Sequence, residues 1–222
     1  MSEIWFVYVK DRNERIGGTD VAGIMGLSQY KDREAVMLDK LGLGPPFHGN
    51  KYTESGNLFE PLVRDWYQAG TGESVMDPVD EVKKDLLPGH VFRSKKHEFL
   101  VGSPDGLVLD PDKYTVKSNK EGSMVEGVKW GWEAKVAHYF SKKKWDGLED
   151  KIPKEYVIQC QFYMMLSGLD RWDLSVFHLG TADRESHTLE ACPFIHAEMM
   201  DAVIPFREEW EQRREDLERK KK

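Results

Sequence analysis

The spacing of apolar residues changes period several times along the chain, and each change marks an element. Trp5 to Val9 alternate weakly and fit a short strand or a helix, ahead of a turn-rich stretch from Asp11 to Gly18. Thr19 is placed to cap a short helix through Leu27. Ser28 is placed to cap a second, whose Ala35, Val36, Leu38 and Leu41 run toward a stop at Gly44-Pro45-Pro46. A third helix is predicted from about Glu54 to Gln68, with Leu58, Phe59, Leu62, Val63 and Trp66 as its apolar stripe and Pro61 bending it or starting its regular part.

The stretch from about Val91 to Val136 reads as antiparallel strands, joined by Asp105-Gly106 and by a longer polar insertion from Asp110 to Glu121. Then the period lengthens again. Pro153 opens a helix through Ser167 that turns Tyr156, Val157, Cys160, Tyr163 and Met164 inward and stops at Gly168. Trp172 to Leu179 and His187 to Ala191 read as strands, and Phe194 to Lys222 as a long helix interrupted at Pro205. There are no repeats. The expected architecture is a mixed α/β domain covering residues 1–222, with a central, mostly antiparallel or mixed sheet flanked by helices.

Composition narrows the function classes. With 40% hydrophobic and 32% charged residues, no bilayer-length apolar run and no secretory leader, a cytoplasmic protein without a membrane partner is expected. Cys160 and Cys192 are too few for a disulfide framework, a four-cysteine zinc site or a four-thiolate iron–sulfur cluster, and are expected as buried thiols. The 32 basic residues against 39 acids give a net charge of −7, which argues against a protein that coats nucleic acid over its whole surface. Local basic paths remain at Lys83-Lys84, Arg93 to Lys96, Lys142-Lys143-Lys144 and Arg213-Arg214 to Lys222. Lys142 to Lys144 is the best of these, because Tyr139, Phe140 and Trp145 are interleaved with it. The seven histidines show no metal-ligand spacing.

The candidate chemistry lies in Ser103-Pro104-Asp105-Gly106 and Glu133-Ala134-Lys135. Strand alternation sends Glu133 and Lys135 to one face, while Ala134 turns away and offers only its backbone carbonyl. Either half alone reads as a surface turn or a solvated ion pair. Both, however, are set in apolar runs, Phe99 to Val101 and Leu107 to Leu109 around the aspartate, and Trp130, Trp132 and Val136 around the other pair, where charges are costly. Together they read as a Mg²⁺ site for phosphodiester cleavage: Asp105 and Glu133 hold the ion, and Lys135 orients the nucleophile and stabilises developing charge. Glu60 and Gln159 sit on helices that could face the same sheet edge. Of Gln159 and Gln161, only one is expected to share the inward face with Tyr156 and Tyr163, and Gln159 is preferred. Arg12 and Arg15 precede Ile16-Gly17-Gly18-Thr19-Asp20, either an anion cradle at a helix N-terminus or a plain turn before a capped helix.

In order, Ile16-Gly-Gly-Thr-Asp-Val-Ala-Gly-Ile-Met-Gly, Gly56-Asn-Leu-Phe-Glu-Pro, Ser103-Pro-Asp-Gly, Glu133-Ala-Lys and Tyr156-Val-Ile-Gln-Cys-Gln resemble the phage lambda exonuclease family, the YqaJ-type viral recombinases. The resemblance spans nearly the whole chain and implies a restriction-endonuclease-like core. It also implies a Mg²⁺-dependent exonuclease, with Mn²⁺ as a substitute, that digests one strand of duplex DNA from its 5′ end and leaves a 3′ overhang for a single-strand annealing protein. Such enzymes work as ring-shaped homotrimers. By the same resemblance Asp105 and Glu133 match the metal-binding acids, Lys135 the catalytic lysine, Glu60 the additional acid and Gln159 the first glutamine after the active-site strand. Arg12 matches the arginine that holds the terminal 5′ phosphate and Thr19 the nearby serine, with Arg15 as the fallback. The chain departs from the lambda enzyme at Tyr8, where a tryptophan is expected, and in the longer segment from Asp110 to Glu121. The competing readings are an endonuclease of the same fold, specific for a structure or sequence, and a DNA-binding protein without chemistry.

Overall fold

In the computed structural model the described residues are 4–8, 14–46, 48–78, 90–138, 145 and 152–220. Alternation settles the first element as a strand, β1 (Ile4–Tyr8), with Ile4 and Phe6 buried. Helix α1 (Gly18–Ile24) is capped by Gly17 rather than Thr19: the Gly17 backbone N–H donates to Asp20 Oδ2 at 2.9 Å. Helix α2 (Arg33–Lys40) starts later than expected because Asp32, not Ser28, is its cap, with Oδ1 accepting from the Ala35 backbone N–H at 2.8 Å.

Helix α3 (Lys51–Thr71) is longer than its periodicity indicated, running from an Asn50 cap through Pro61 to Gly72, whose φ of 73° ends it. Its covered face is also rotated from the expected stripe. Val63 and Tyr67 are buried and Phe59, Glu60 and Arg64 half-buried, whereas Leu58 and Leu62 are 70% and 59% exposed. An acid and an arginine thus face the protein where leucines were expected.

The remaining strands are β2 (Val75–Met76), β3 (His90–Arg93), β4 (Val101–Gly102), β5 (Gly106–Leu109), β6 (Thr115–Ser118), β7 (Gly122–Glu126), β8 (Val128–Ala137), β9 (Arg171–His178) and β10 (Asp183–Glu190). They form two five-stranded sheets rather than one. The first, ordered β4-β3-β1-β7-β6, is antiparallel throughout. The second, ordered β10-β9-β8-β5-β2, is antiparallel except for the parallel pair β8/β9. Ser103-Pro104-Asp105 therefore does not close a hairpin; it carries the chain from β4 in the first sheet to β5 in the second. The polar insertion contains β6, exposed along its length and paired with β7.

Helix α4 (Lys154–Ser167) ends at Gly168 as expected, and α5 (Pro193–Lys220) continues through Pro205 without interruption. Helix α4 is buried from Ile158 to Met164, so Gln159 and Gln161 both point into protein, on different sides. Gln161 donates to the Glu190 carbonyl and accepts from the Cys192 backbone N–H. The main core joins the first sheet, one face of the second, α1, α2, α4 and α5, while a smaller cluster of Val63, Tyr67, Val75, Val108, Trp132 and Ala134 lies under α3. The second sheet thus has α3 on one face and α4 on the other. Cys160 is fully buried and Cys192 half-buried. No helix among the described residues is long and apolar enough to cross a membrane.

Candidate active site

Strand register brings the two acidic segments together. Gly106 on β5 pairs with Trp132 on β8 in an antiparallel ladder, so Asp105, one step before Gly106, comes opposite Glu133, one step after Trp132. The approach needs a glycine: a Cβ at Gly106 would meet Trp132 Cε3 at 2.9 Å and press into Val75. Asp105 Oδ2 accepts from the Ala134 backbone N–H at 2.9 Å, fixing the aspartate against the neighbouring strand.

Glu133 is 1% exposed and points toward α4. Its Oε1 accepts from Lys135 Nζ at 2.6 Å and from Gln159 Nε2 at 2.7 Å. Its Oε2 is buried with no hydrogen-bond partner among the described residues. An unserved carboxylate oxygen in such a setting costs on the order of 1–3 kcal/mol or more. Lys135 is held on its other side by the Tyr156 ring, whose centroid lies 5.3 Å from Nζ.

Charge in this cluster is tightly balanced. Burial, reinforced by the Asp105 carboxylate, pushes Glu133 up to about 8. Burial also raises Asp105, against the pull of Lys135. Lys135 is desolvated too, but Glu133 and Asp105 outweigh that penalty and hold its ammonium above the usual lysine range. Burial and then Asp105 lift Glu60 to about 7, with Arg64 opposing. A divalent cation would relieve this crowding of carboxylates.

The donors suit such a cation. Among the described residues no three or more His, Cys, Asp or Glu side chains are grouped to hold a metal unaided. Two carboxylates and a carbonyl, completed by water and substrate phosphate, match the oxygen-rich, partly hydrated shell of Mg²⁺. Asp105, Glu133 through Oε2, and the Ala134 carbonyl are the groups that would supply it.

Two neighbours of the site were not singled out from the sequence. Arg64 joins three segments: its guanidinium donates to Glu60 Oε1 at 2.9 Å and to the Asp105 carbonyl at 3.2 Å, and pairs with Asp77 at 2.9 Å. Its four-residue spacing from Glu60 was the available signal. Tyr163, expected only as core, donates to the Ser103 carbonyl at 3.1 Å and accepts from Gln159 at 3.0 Å.

The expected phosphate end is less assembled. Arg12 lies outside the described residues. Arg15 is half-buried, donates to the Glu14 carbonyl at 3.2 Å, and has a buried Nε without a hydrogen-bond partner among the described residues. Thr19 is exposed. The Gly17 N–H is taken by Asp20, which pairs with Lys40 at 2.7 Å, so that amide serves an internal cap. Of the basic paths, Lys83-Lys84 and Lys142 to Lys144 lie outside the described residues, as do Tyr139 and Phe140. Trp145 is buried against Tyr156 and His178 rather than offered to nucleic acid. Arg213 pairs with Glu34 and Glu209.

The chain is similar to several known proteins. The protein YqaJ of Bacillus subtilis (strain 168), itself uncharacterized, is 25% identical over 159 residues, covering 71% of this chain. The chain spans only 41% of that relative's length. The crystal structure of the alkaline exonuclease LHK-Exo from Laribacter hongkongensis in complex with dAMP superposes with a TM-score of 0.68 at 21% identity, over 94% of both chains. A phage-related exonuclease from Haemophilus somnus 129PT gives 0.61 at 15% identity, over 91% of this chain and 96% of the other. These likenesses show the fold, a mixed α/β architecture of the restriction-endonuclease-like type. The YqaJ-like viral recombinase domain matches residues 7–170, and this chain belongs to that family.

Proposed function

We propose that the protein is a Mg²⁺-dependent deoxyribonuclease that digests one strand of linear duplex DNA from its 5′ end. Family membership supports a nuclease role. The observation that carries the reading is Glu133: a buried carboxylate with one oxygen saturated by Lys135 and Gln159 and the other left bare, opposite Asp105.

Asp105, Glu133 and the Ala134 carbonyl would hold the ion. Mg²⁺, or Mn²⁺ in its place, would supply there a water of lowered pKa and positive charge against the scissile phosphate. Lys135, held charged by the two acids, donates to the attacking water and stabilises negative charge as it develops. Gln159 keeps Glu133 oriented, and Glu60, paired with the Arg64 that also donates to the Asp105 carbonyl, is the additional acid of the site. Arg12, with Thr19 nearby in sequence, receives the terminal 5′ phosphate, and Arg15 is the fallback. The resulting 3′ overhang is the substrate of a single-strand annealing protein, and the working form is a homotrimer.

Digestion of a 5′-phosphorylated, end-labelled linear duplex beside a covalently closed circle tests this reading. With Mg²⁺ we expect mononucleotides from the 5′-ended strands of the linear duplex, an intact circle, and no release in EDTA. Cutting of the circle would instead assign an endonuclease, and no release from either substrate a binding protein.

A further inference from the structure

We propose that Tyr163, acting through Gln159, is the positioning residue that decides which oxygen of Glu133 is left for the metal. The inference rests on the metal-centre reading above and follows from the direction of a chain of hydrogen bonds. A tyrosine hydroxyl has one proton to donate. Tyr163 spends it on the Ser103 carbonyl, at 3.1 Å, so toward Gln159 the hydroxyl oxygen can only accept. That fixes the amide. Gln159 must present its NH₂ to Tyr163, at 3.0 Å, and the second hydrogen of the same NH₂ reaches Glu133 Oε1 at 2.7 Å. With Lys135 also on Oε1, that oxygen is saturated and Oε2 stays bare. The reversed amide would aim its carbonyl at a carboxylate and at a hydroxyl with no proton left to give.

Packing leaves little freedom for an alternative. Tyr163 is 3% exposed, with Phe92 and Trp172 ring centroids 5.6 Å and 5.3 Å away. Helix α1 closes over both side chains at Gly18, where a Cβ would stand 3.1 Å from Gln159 Cγ and 3.2 Å from Tyr163 Cε1. The second glycine of Gly17-Gly18 is what lets α1 close over this pair. Because Ser103 lies two residues before Asp105, the same hydroxyl also ties α4 to the segment that carries the other acid.

The test is Mn²⁺ binding to DNA-free protein by calorimetry, with DNA cleavage as a second readout. Tyr163→Phe keeps the ring and removes the hydroxyl's two hydrogen bonds, to the Ser103 carbonyl and from Gln159; its Mn²⁺ affinity is expected to fall about tenfold, as is usual when a group behind a metal ligand is lost. Gln159→Leu should weaken binding by a similar factor, and the double variant should be no weaker than Gln159→Leu alone. Wild-type affinity in Tyr163→Phe, or losses that multiply in the double variant as for an independent structural role, would overturn the relay. Should Tyr163→Phe fail to fold, Gly18→Ala disturbs the pair without removing a hydrogen bond and should also weaken binding; unchanged affinity there counts against the proposal. If wild-type protein binds no Mn²⁺, the metal-centre reading itself fails, an outcome distinct from a wild type that binds and a Tyr163→Phe that binds equally well.

Discussion

Glu133 and Asp173 are both buried carboxylates on adjacent strands of the second sheet, yet their oxygens are served differently. Asp173 pairs in register with Trp132, so it lies on the sheet face opposite Glu133, toward α3. It accepts from Tyr67 Oη at 2.5 Å, Arg171 Nε and Nη2 at 2.8 and 2.7 Å, and Thr188 Oγ1 at 2.9 Å. Both oxygens are satisfied, and Trp130 donates to the Tyr67 hydroxyl behind them. Glu133 has one oxygen doubly served and one bare. The first arrangement stabilises the fold; the second leaves part of the cost of burial for a ligand to offset.

The largest effects should separate these two acids by property. Glu133→Gln should lower the single-turnover cleavage rate by about 10²-fold or more and shift the thermal midpoint less than the change at Asp173, because Lys135 keeps Asp105 as a partner. Asp173→Asn should do the reverse, costing about 1–3 kcal/mol in urea unfolding by weakening the hydrogen bonds of Tyr67, Thr188 and Arg171, with the rate per folded molecule retained. Loss of stability in the first variant and of chemistry in the second would break the contrast.

A smaller effect follows from proton linkage. Glu133 and Glu60 rise from an ordinary 4.5 to about 8 and about 7 in the folded chain. Between those limits the folded protein binds protons that the unfolded chain releases, so this contribution to stability is complete below about 4.5 and is lost as pH climbs toward 8. Urea midpoints in EDTA should therefore fall across that window. Added Mg²⁺ should stabilise more at pH 8 than at pH 6, and equal stabilisation at both would argue that the ion does not bind these acids. Smallest is Tyr67→Phe, which removes one of the hydrogen bonds to Asp173 and should cost about 1–2 kcal/mol in urea unfolding without altering Mn²⁺ affinity.

Asp105, Glu133 and Lys135 were legible in the sequence because charges stand out within short apolar strands, and two-residue alternation is enough to put Glu133 beside Lys135. Helix α4 was harder: it is apolar on every side, so periodicity offered no reason for both Gln159 and Gln161 to be buried. Leu58 and Leu62 were read as core because leucine is normally inside, but the face of α3 is set by Glu60 and Arg64 turning toward Asp105, a tertiary demand that overrides hydropathy. Strand β6 was hidden in its polar insertion because all four residues are exposed and only pairing with β7 defines it. The division into two sheets depends on pairings such as β1 with β7, between distant segments whose partners local patterns do not specify.

The parallel alignment of β8 and β9 makes the candidate site depend on the crossover that carries α4. Gly131 pairs with Trp172, about 40 residues further along, and α4 must be laid over the sheet before that ladder can zip. Gln159 arrives with the same helix. A chain that extends only as far as β8 thus holds the acids and the lysine but no α4 to orient them, and the candidate site stays incomplete until the crossover closes.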